Sequence, residues 1–317
     1  MRKFKLAFTQ SVIFCLLLGC SPLKPTSAGE IAQPTDNSTQ KPVVTPTEKP
    51  TRTSTPTTTP IPVTPTVTLL LGTPETGIGS TRLSEKDGMA LLYVPAGPFQ
   101  MGSDKSSKNV YPLHTIYLDA FWIDQTEITN AMYAKCVTDG ACLAPKEVNS
   151  HNRLNYFTDE RYAEYPVLFV PWNEASAYCR WAGRELPTEA QWEKAARGTD
   201  GRLYPWGDQA PSKELLNFDT PLGDTKKVGV YPAGASPYGA LDMAGNAREW
   251  VADWYEEEYY LTSPEKNPTG PQYGYERVIR GGSWGDDMSQ IRTFVRRGLS
   301  PIEVSNALSF RCALVEE

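Results

Sequence analysis

The chain has few histidines, no excess of positive charge and a long stretch without aromatic residues. Two histidines among 317 residues exclude a metal site built from three of them. The formal net charge of −6 argues against nucleic-acid binding, which needs a basic patch. No Phe, Trp or Tyr lies between Phe14 and Tyr93, so 31 of the 34 aromatic residues fall in the last 225 positions. Because a segment without aromatics cannot bury enough apolar area to offset the entropy of ordering, we expect the folded domain to span residues 83–317.

The first twenty residues predict an export signal. Three basic residues fall within the first five positions, and a short apolar stretch ends at Leu17-Leu18-Gly19-Cys20. This arrangement is typical of a secretory signal, and the apolar stretch is too short to span a bilayer comfortably. The last four residues resemble a bacterial lipobox, which implies a lipidated Cys20 on the outer face of a bacterial cell membrane. The alternative is ordinary secretion with Cys20 incidental.

Residues 21–82 predict a spacer without a site of its own. Between positions 21 and 75, 26 of the 55 residues are Pro or Thr. Frequent proline favours extended polyproline II, which makes such a segment a semi-rigid tether. We expect it to hold the folded domain away from the lipid surface.

Four cysteines remain in the predicted domain: Cys136, Cys142, Cys179 and Cys312. An even number in an exported chain favours disulfides over free thiols. Four cysteines allow three pairings, of which we favour Cys136–Cys142 with Cys179–Cys312, because the short span between the first two can turn back on itself. The alternative is a redox-active pair, but no Cys-x-x-Cys motif occurs.

The predicted domain is an α+β fold with long irregular segments. The chain is expected to form, in order, strands over 91–95, 99–102 and 114–118, and helices over 129–137, 173–183 and 188–198. Asn173 is the predicted N-cap of the second helix, and Thr188 with Gln191 predicts a capping box on the third. No long helix is expected beyond Gly198, where Gly, Pro, Asn and Asp recur every few residues. Disulfides and bound cations are the expected supports for so loop-rich a domain.

A series of motifs gives this domain a family resemblance. In order they are VPAGPFQMGS (94–103), PWNEA (171–175) with LPTEAQWE (186–193), YPWG (204–207), DMAGNAREW (242–250), RGGSW (280–284) and FRC (310–312). Over residues 88–315 the chain closely resembles the sulfatase-modifying factor family, the formylglycine-generating enzymes and their relatives. The resemblance implies a loop-rich fold related to C-type lectins, and it implies a disulfide joining Cys179 to Cys312.

The resemblance also implies two structural calcium sites. The first is Asp242, Gly245, Ala247 and Glu249, which offers two carboxylates and two backbone carbonyls in one tight loop, the hard oxygen ligands that calcium prefers. The second is Asn217, Phe218, Asp224 and Lys226, where Asp219 is an alternative to Asp224. Without calcium, Asp242 and Glu249 would cap turns, and Glu249 would pair with Arg248 or Arg292.

Copper chemistry is not expected. The family's formylglycine generators bind copper through two cysteines that follow the Gly-Gly-Ser-aromatic segment, and they oxidise a substrate cysteine with O₂. Soft thiolates are the ligands that Cu(I) requires. The matching stretch, residues 281–292, contains no cysteine. Asp286 and Asp287 are hard donors, and Met288 alone cannot replace two thiolates. The iron-dependent sulfoxide synthases of the family use three histidines in an additional domain, and this chain has neither.

The same stretch matches the family's substrate cleft. Our cleft candidates are Ser283, Trp284, Asp286, Asp287, Arg292 and Arg296, with Arg248 at a position where the family often has Trp. An aromatic face beside carboxylates and arginines suits a peptide, a sugar or a cationic small molecule. The alternative places Trp250 and Trp284 in the core and the arginines in buried ion pairs.

These features predict a surface lipoprotein whose domain is a binding or accessory module. The expected partners are the membrane, through the N-terminal lipid, and a peptide or glycan of the cell envelope or the environment. The alternative is an oxidoreductase of the formylglycine-generating type that modifies a protein or a small molecule.

Overall fold

The structure, a computed structural model, describes residues 76–315. The predicted signal, Cys20 and nearly all of the predicted spacer lie outside the described residues. The strands are β1 (Thr81–Leu83), β2 (Ala90–Val94), β3 (Gly97–Met101), β4 (His114–Leu118), β5 (Phe121–Asp124), β6 (Arg248–Trp254), β7 (Arg277–Arg280), β8 (Arg296–Leu299), β9 (Leu308–Phe310) and β10 (Ala313–Leu314). The helices are α1 (Asn130–Thr138), α2 (Trp172–Trp181) and α3 (Glu189–Arg197). No helix in this part of the chain has the length and apolar character needed to cross a membrane.

The strands form three sheets, as expected for a mixed, loop-rich domain. The first sheet has the order β1-β2-β5-β10, and its first strand begins at Thr81, two residues before the predicted start of the domain. A two-stranded sheet pairs β3 with β4. The third has the order β8-β7-β6-β9, in which β6 runs antiparallel to β7 and parallel to β9. This third sheet carries the residues of the candidate site.

The helix boundaries follow local capping chemistry, with one correction. The Thr129 side chain accepts the Met132 amide at the start of α1, and Thr188 with Gln191 forms the predicted capping box on α3. The predicted N-cap of α2 is wrong. Its N-cap is Pro171, whose carbonyl accepts amides of the first turn, while the Asn173 side chain donates to Glu174 instead.

Both predicted disulfides are confirmed. Cys136 and Cys142 are bridged at the end of α1, and Cys179 of α2 is bridged to Cys312 across 133 positions. The second bridge fastens α2 to the chain between β9 and β10. All four cysteines are buried within one apolar core cluster, so the bridges are part of the packed interior.

A buried arginine connects α3 to the loop that follows β7. Arg280 pairs with the buried Glu193 carboxylate at 2.5 Å and donates to the carbonyls of Thr293, Phe294 and Val295 at 2.9–3.1 Å. An unpaired charge at this depth would be costly, so the pair and the carbonyls support one another. Arg280 therefore fixes both ends of the segment that carries most of the predicted cleft residues.

Candidate functional site

The site is built at the end of β7, where the antiparallel register brings it beside the start of β6. Glu249 of β6 is paired with Arg280 of β7, so Arg248 lies next to the loop that begins after Arg280. Gly282 opens that loop with a φ of +70°, and a Cβ there would lie 2.7 Å from the Ile291 side chain. Only glycine tolerates both the left-handed backbone and the close approach.

The predicted cleft residues Arg248, Ser283 and Asp286 are brought together by this turn. One carboxylate oxygen of Asp286 lies 2.5 Å from the Arg248 guanidinium. The other oxygen accepts the amide and the hydroxyl of Ser283, each at 2.8 Å. Arg248 therefore does not pair with Glu249, one of the two partners considered from the sequence. The Arg248 side chain is 24% exposed and the Asp286 side chain 10%, so the guanidinium is the part of the ion pair that a ligand can reach.

Trp284 is buried beneath the surface and does not present its ring face. It is only 6% exposed, and its indole N–H donates to the Asn306 carbonyl at 3.1 Å. The exposed His151 covers it, with ring centroids 5.3 Å apart. The expectation of an open aromatic face is wrong for Trp284, because the surrounding loops cover its ring. His151 is a site residue that the sequence did not identify, since its loop is distant along the chain.

Three further cleft candidates differ in where the structure places them. Arg296 is fully buried in an ion pair with Glu189 at 2.7 Å, so it cannot contact a ligand. Asp287 is exposed but caps its own turn by accepting from Ser289. Arg292 is partly exposed and makes no ion pair with any residue from 76 to 315, so the predicted alternative of a buried pair holds for Arg296 alone.

Exposed aliphatic side chains lie on the loops that contact the site. Leu222 is 87% exposed and follows Thr220, which donates to the Trp284 carbonyl. Leu154 is 76% exposed and belongs to the same loop as His151. Asn152, beside His151, donates to the Leu222 carbonyl, so the two loops are in contact. The two adjoining loops therefore place two exposed leucines beside the site.

The first predicted calcium loop adjoins this site. The Gly245 amide donates to the Gly281 carbonyl, and the Trp284 amide donates to the Asn246 carbonyl. Gly245 has a φ of +77°, and a Cβ there would lie 2.4 Å from the Asn217 carbonyl oxygen. The loop that carries the predicted calcium ligands therefore sets the position of the candidate cleft.

Glu249, a predicted calcium ligand, is already held by other groups. Arg311 binds both of its carboxylate oxygens at 2.7 Å, and the Trp192 indole N–H donates to it at 2.8 Å. From the sequence, the expected ion-pair partner of Glu249 without calcium was Arg248 or Arg292. Arg311 replaces both because β6 and β9 run parallel and bring the residue after β9 beneath Glu249.

Asp242 faces a second buried carboxyl group, that of Glu127, which the sequence did not identify. Burial raises the pKa of Asp242 to about 6, and burial beside Asp242 and Glu249 raises the pKa of Glu127 well above its usual range. One oxygen of Glu127 accepts from Asn246 at 3.0 Å, and the other is buried without a hydrogen-bond donor. Three carboxyl groups thus share the single charge of Arg311, and either a proton shared by Asp242 and Glu127 or a bound cation would relieve the imbalance.

The side chains of the first predicted calcium loop can bind calcium only if backbone carbonyl oxygens also act as ligands. No three His, Cys, Asp or Glu side chains within residues 76–315 converge on one metal position. An ion here would be held by the carboxylates of Asp242 and Glu127 and by the predicted carbonyls of Gly245 and Ala247. Oxygen ligands of this kind suit calcium.

The second predicted calcium set does not fit an ion, because the Asp224 carboxylate and the carbonyls of Phe218 and Lys226 already accept from donors of the chain. The Asn217 amide group donates to the Asp224 carbonyl, and the Phe218 carbonyl accepts from Lys213 at 2.5 Å. The Lys226 carbonyl accepts from Asn246. The Asp224 carboxylate pairs with a guanidinium, as described below.

Comparison with known proteins agrees with the motifs. The model of the sulfatase-modifying factor enzyme 1-like domain matches residues 80–315. The serine/threonine-protein kinase pkn1 of Chlamydia caviae is 34% identical over 239 residues, 70% of this chain and 37% of that protein. This chain thus spans little more than a third of that relative. The formylglycine-generating enzyme of Streptomyces coelicolor is 32% identical over 274 residues, 69% of this chain and 87% of that enzyme.

A solved structure shows the same fold. PvdO from Pseudomonas aeruginosa superposes with a TM-score of 0.65 at 22% identity, over 75% of this chain and 99% of PvdO. At that identity the likeness concerns the fold alone. Together with the family match over residues 80–315, it establishes that this chain belongs to the sulfatase-modifying factor family, which includes the formylglycine-generating enzymes.

Proposed function

We propose that this domain is a ligand-binding or accessory module and not a copper-dependent oxidase. The observation that carries the proposal is that all four cysteines of the described domain are consumed in two disulfides. No thiol pair is therefore available between residues 76 and 315 to hold Cu(I). In the segment where the family's oxidases carry their cysteines, this chain has the Asp286–Arg248 ion pair.

The ligand that the site suits best is a peptide. The ring of Trp284, against which a sugar could lie, is covered by His151. The exposed apolar groups are instead aliphatic, on the loops of Leu154 and Leu222. Aliphatic side chains around a half-buried ion pair can bind apolar peptide side chains while the charges orient the peptide.

Disrupting the ion pair is expected to weaken peptide binding. In the double variant Arg248→Met/Asp286→Asn, peptides selected on an array by the unmodified protein should bind at least about tenfold more weakly, because a hydrogen bond to a charged group contributes about 1.5–3 kcal/mol. Fluorescence anisotropy measures the change. The control is Arg161→Met, which removes an exposed ion pair with Asp159 and should leave affinity unchanged. If the double variant and Arg161→Met bind the peptide with equal affinity, the peptide proposal is contradicted. It is also contradicted if the unmodified protein binds only glycans on the array.

The alternative is formylglycine generation, the activity named for the relative from Streptomyces coelicolor. It is tested by incubating the protein with Cys-x-Pro-x-Arg peptides, O₂ and Cu(I), and by mass spectrometry of the peptide. We expect no mass change. Conversion of the cysteine would overturn the binding-module proposal, whichever residues hold the metal.

The cellular location of the domain and its attachment to a membrane are also proposals. We propose lipidation at Cys20 and display on the outer face of a bacterial cell membrane, with residues 21–75 as the tether. The support is the sequence pattern alone, since these positions lie outside the described residues. A tethered module on a cell surface is suited to capturing ligands from the envelope or the environment.

We propose calcium at the first loop, with Glu127 as an additional ligand. In the unmodified protein, calcium at about 100 times its Kd should raise the melting temperature by roughly 5–10 °C, because an ion that binds only the folded state adds about 2.7 kcal/mol. Glu127→Gln keeps the acceptor for Asn246 but removes the charge, so most of this rise should disappear.

Differential scanning calorimetry with calcium and with EDTA measures this effect. The matched control is Glu164→Gln, a carboxylate that is more than half exposed and pairs with Lys227. It should keep the full calcium response. An unchanged response in Glu127→Gln would show that Glu127 is not a ligand.

A further inference from the structure

Two cations of the chain itself converge on the residues of the second predicted calcium position. The ammonium group of Lys213 donates to the carbonyl oxygens of Phe218 and Asp219 at 2.5 and 3.1 Å. It also lies 4.9 Å from the centre of the Phe218 ring, whose face attracts cations. Backbone carbonyl oxygens are also among the ligands that calcium uses in proteins, so the ammonium group occupies a place that an ion could take.

The carboxylate of Asp224, the charged residue of the second predicted calcium position, is neutralised by another cation of the chain, Arg153. One Asp224 oxygen lies 3.0 Å from the Arg153 guanidinium and also accepts from the Ser150 hydroxyl and the Asn152 amide. Its other oxygen accepts the Thr225 amide at 2.8 Å and the Thr225 hydroxyl at 3.4 Å. With the Asp224 side chain 4% exposed and five such contacts in place, no oxygen of it is left for an ion without displacing a donor.

Arg153 is itself held firmly. Its guanidinium donates to the Thr225 carbonyl at 3.0 Å and lies over the rings of Tyr162 and Tyr165 at 5.4 and 5.0 Å. These contacts would all be lost if the arginine left Asp224 to admit a metal ion. The positive charge at this position is therefore fixed by the fold.

We infer that Lys213 and Arg153 take the place of a second calcium ion, so that this half of the domain is held by internal cations and does not require the metal. The inference is independent of the peptide-binding proposal and of whether calcium occupies the first loop. It assigns Lys213 the role of joining the carbonyls of Phe218 and Asp219, and Arg153 that of neutralising Asp224.

Calcium stoichiometry tests the inference. The full chain, treated with chelator and desalted, is titrated with calcium chloride by isothermal titration calorimetry. The double variant Lys213→Gln/Arg153→Gln should bind one more ion per chain than the unmodified protein, because it exposes the carbonyls of Phe218 and Asp219 and leaves the Asp224 carboxylate without a cation. The matched control Lys227→Gln/Arg161→Gln removes two exposed cations from surface ion pairs and should bind the same number as the unmodified protein.

Two outcomes overturn the inference. One is a second calcium ion in the unmodified protein; the other is an unchanged number of ions in the double variant when circular dichroism shows it to be folded. If the double variant does not fold, Lys213→Gln alone decides. In EDTA its melting temperature should lie about 3 °C below that of the unmodified protein, and millimolar calcium should abolish this difference between the two proteins, whether or not calcium also binds the first loop. A difference that calcium does not abolish, or no difference in EDTA, contradicts the replacement of a metal by the lysine.

Discussion

Removing the Cys179–Cys312 bridge, as Cys179→Ala/Cys312→Ala, is expected to lower the free energy of unfolding by about 5 kcal/mol. The bridge closes a loop of 133 positions, and on the chain-entropy account the restriction of the unfolded state grows with loop length. For a domain of this size the melting temperature should fall by roughly 10–15 °C. Thermal unfolding followed by circular dichroism measures this.

The second disulfide supplies the matched comparison. The Cys136–Cys142 bridge closes only six positions, so Cys136→Ala/Cys142→Ala should cost about 2–2.5 kcal/mol. Both variants remove two buried sulfurs from the same core cluster, which makes loop length the main difference. Equal losses in the two variants would show that packing of the sulfurs, and not loop closure, determines the stability that each bridge contributes.

Replacing Arg280 with methionine is expected to cost about 3–5 kcal/mol, because it leaves the buried Glu193 carboxylate with one cation fewer. It also removes the donors that hold the carbonyls of Thr293, Phe294 and Val295. Urea denaturation measures the stability. Hydrogen exchange should show lost protection in residues 283–295, the segment that carries Ser283 and Asp286.

The control for Arg280 is another arginine in a surface pair. Arg161→Met removes the exposed contact with Asp159 and should change stability by at most about 1 kcal/mol. A similarly small effect of Arg280→Met would mean that Arg197, which also pairs with Glu193, neutralises that carboxylate alone. Unchanged exchange in residues 283–295 would show that the segment is held by other contacts.

Local chemistry made several features predictable from the sequence. The cap of α1 at Thr129 and the capping box of α3 depend on side chains that bond to their own first turn, so a few neighbouring residues suffice. The cap of α2 was misassigned because Asn173 is a good N-cap residue in general. Here Pro171, two positions earlier, begins the helix, and its fixed φ suits the entry to a helix.

The site was predictable only in part. Ser283 and Asp286 are three residues apart, so their hydrogen bonds follow from one turn. The partner of Glu249 was not predictable, because Arg311 reaches it only through the parallel pairing of β6 with β9. Arg296 shows the same limit: its exposure depends on Glu189, which is 107 positions away and belongs to α3.

By itself, the sequence determined the family, the caps of α1 and α3, the strands β2, β3 and β4, and the absence of a cysteine pair after the Gly-Gly-Ser segment. These depend on residue identity and on neighbours along the chain. The tertiary structure decided that Trp284 is covered, that Glu127 faces Asp242 and that Lys213 joins carbonyls at a predicted metal position. A charged or aromatic group acquires its role from the groups that burial places around it, and those come from distant segments.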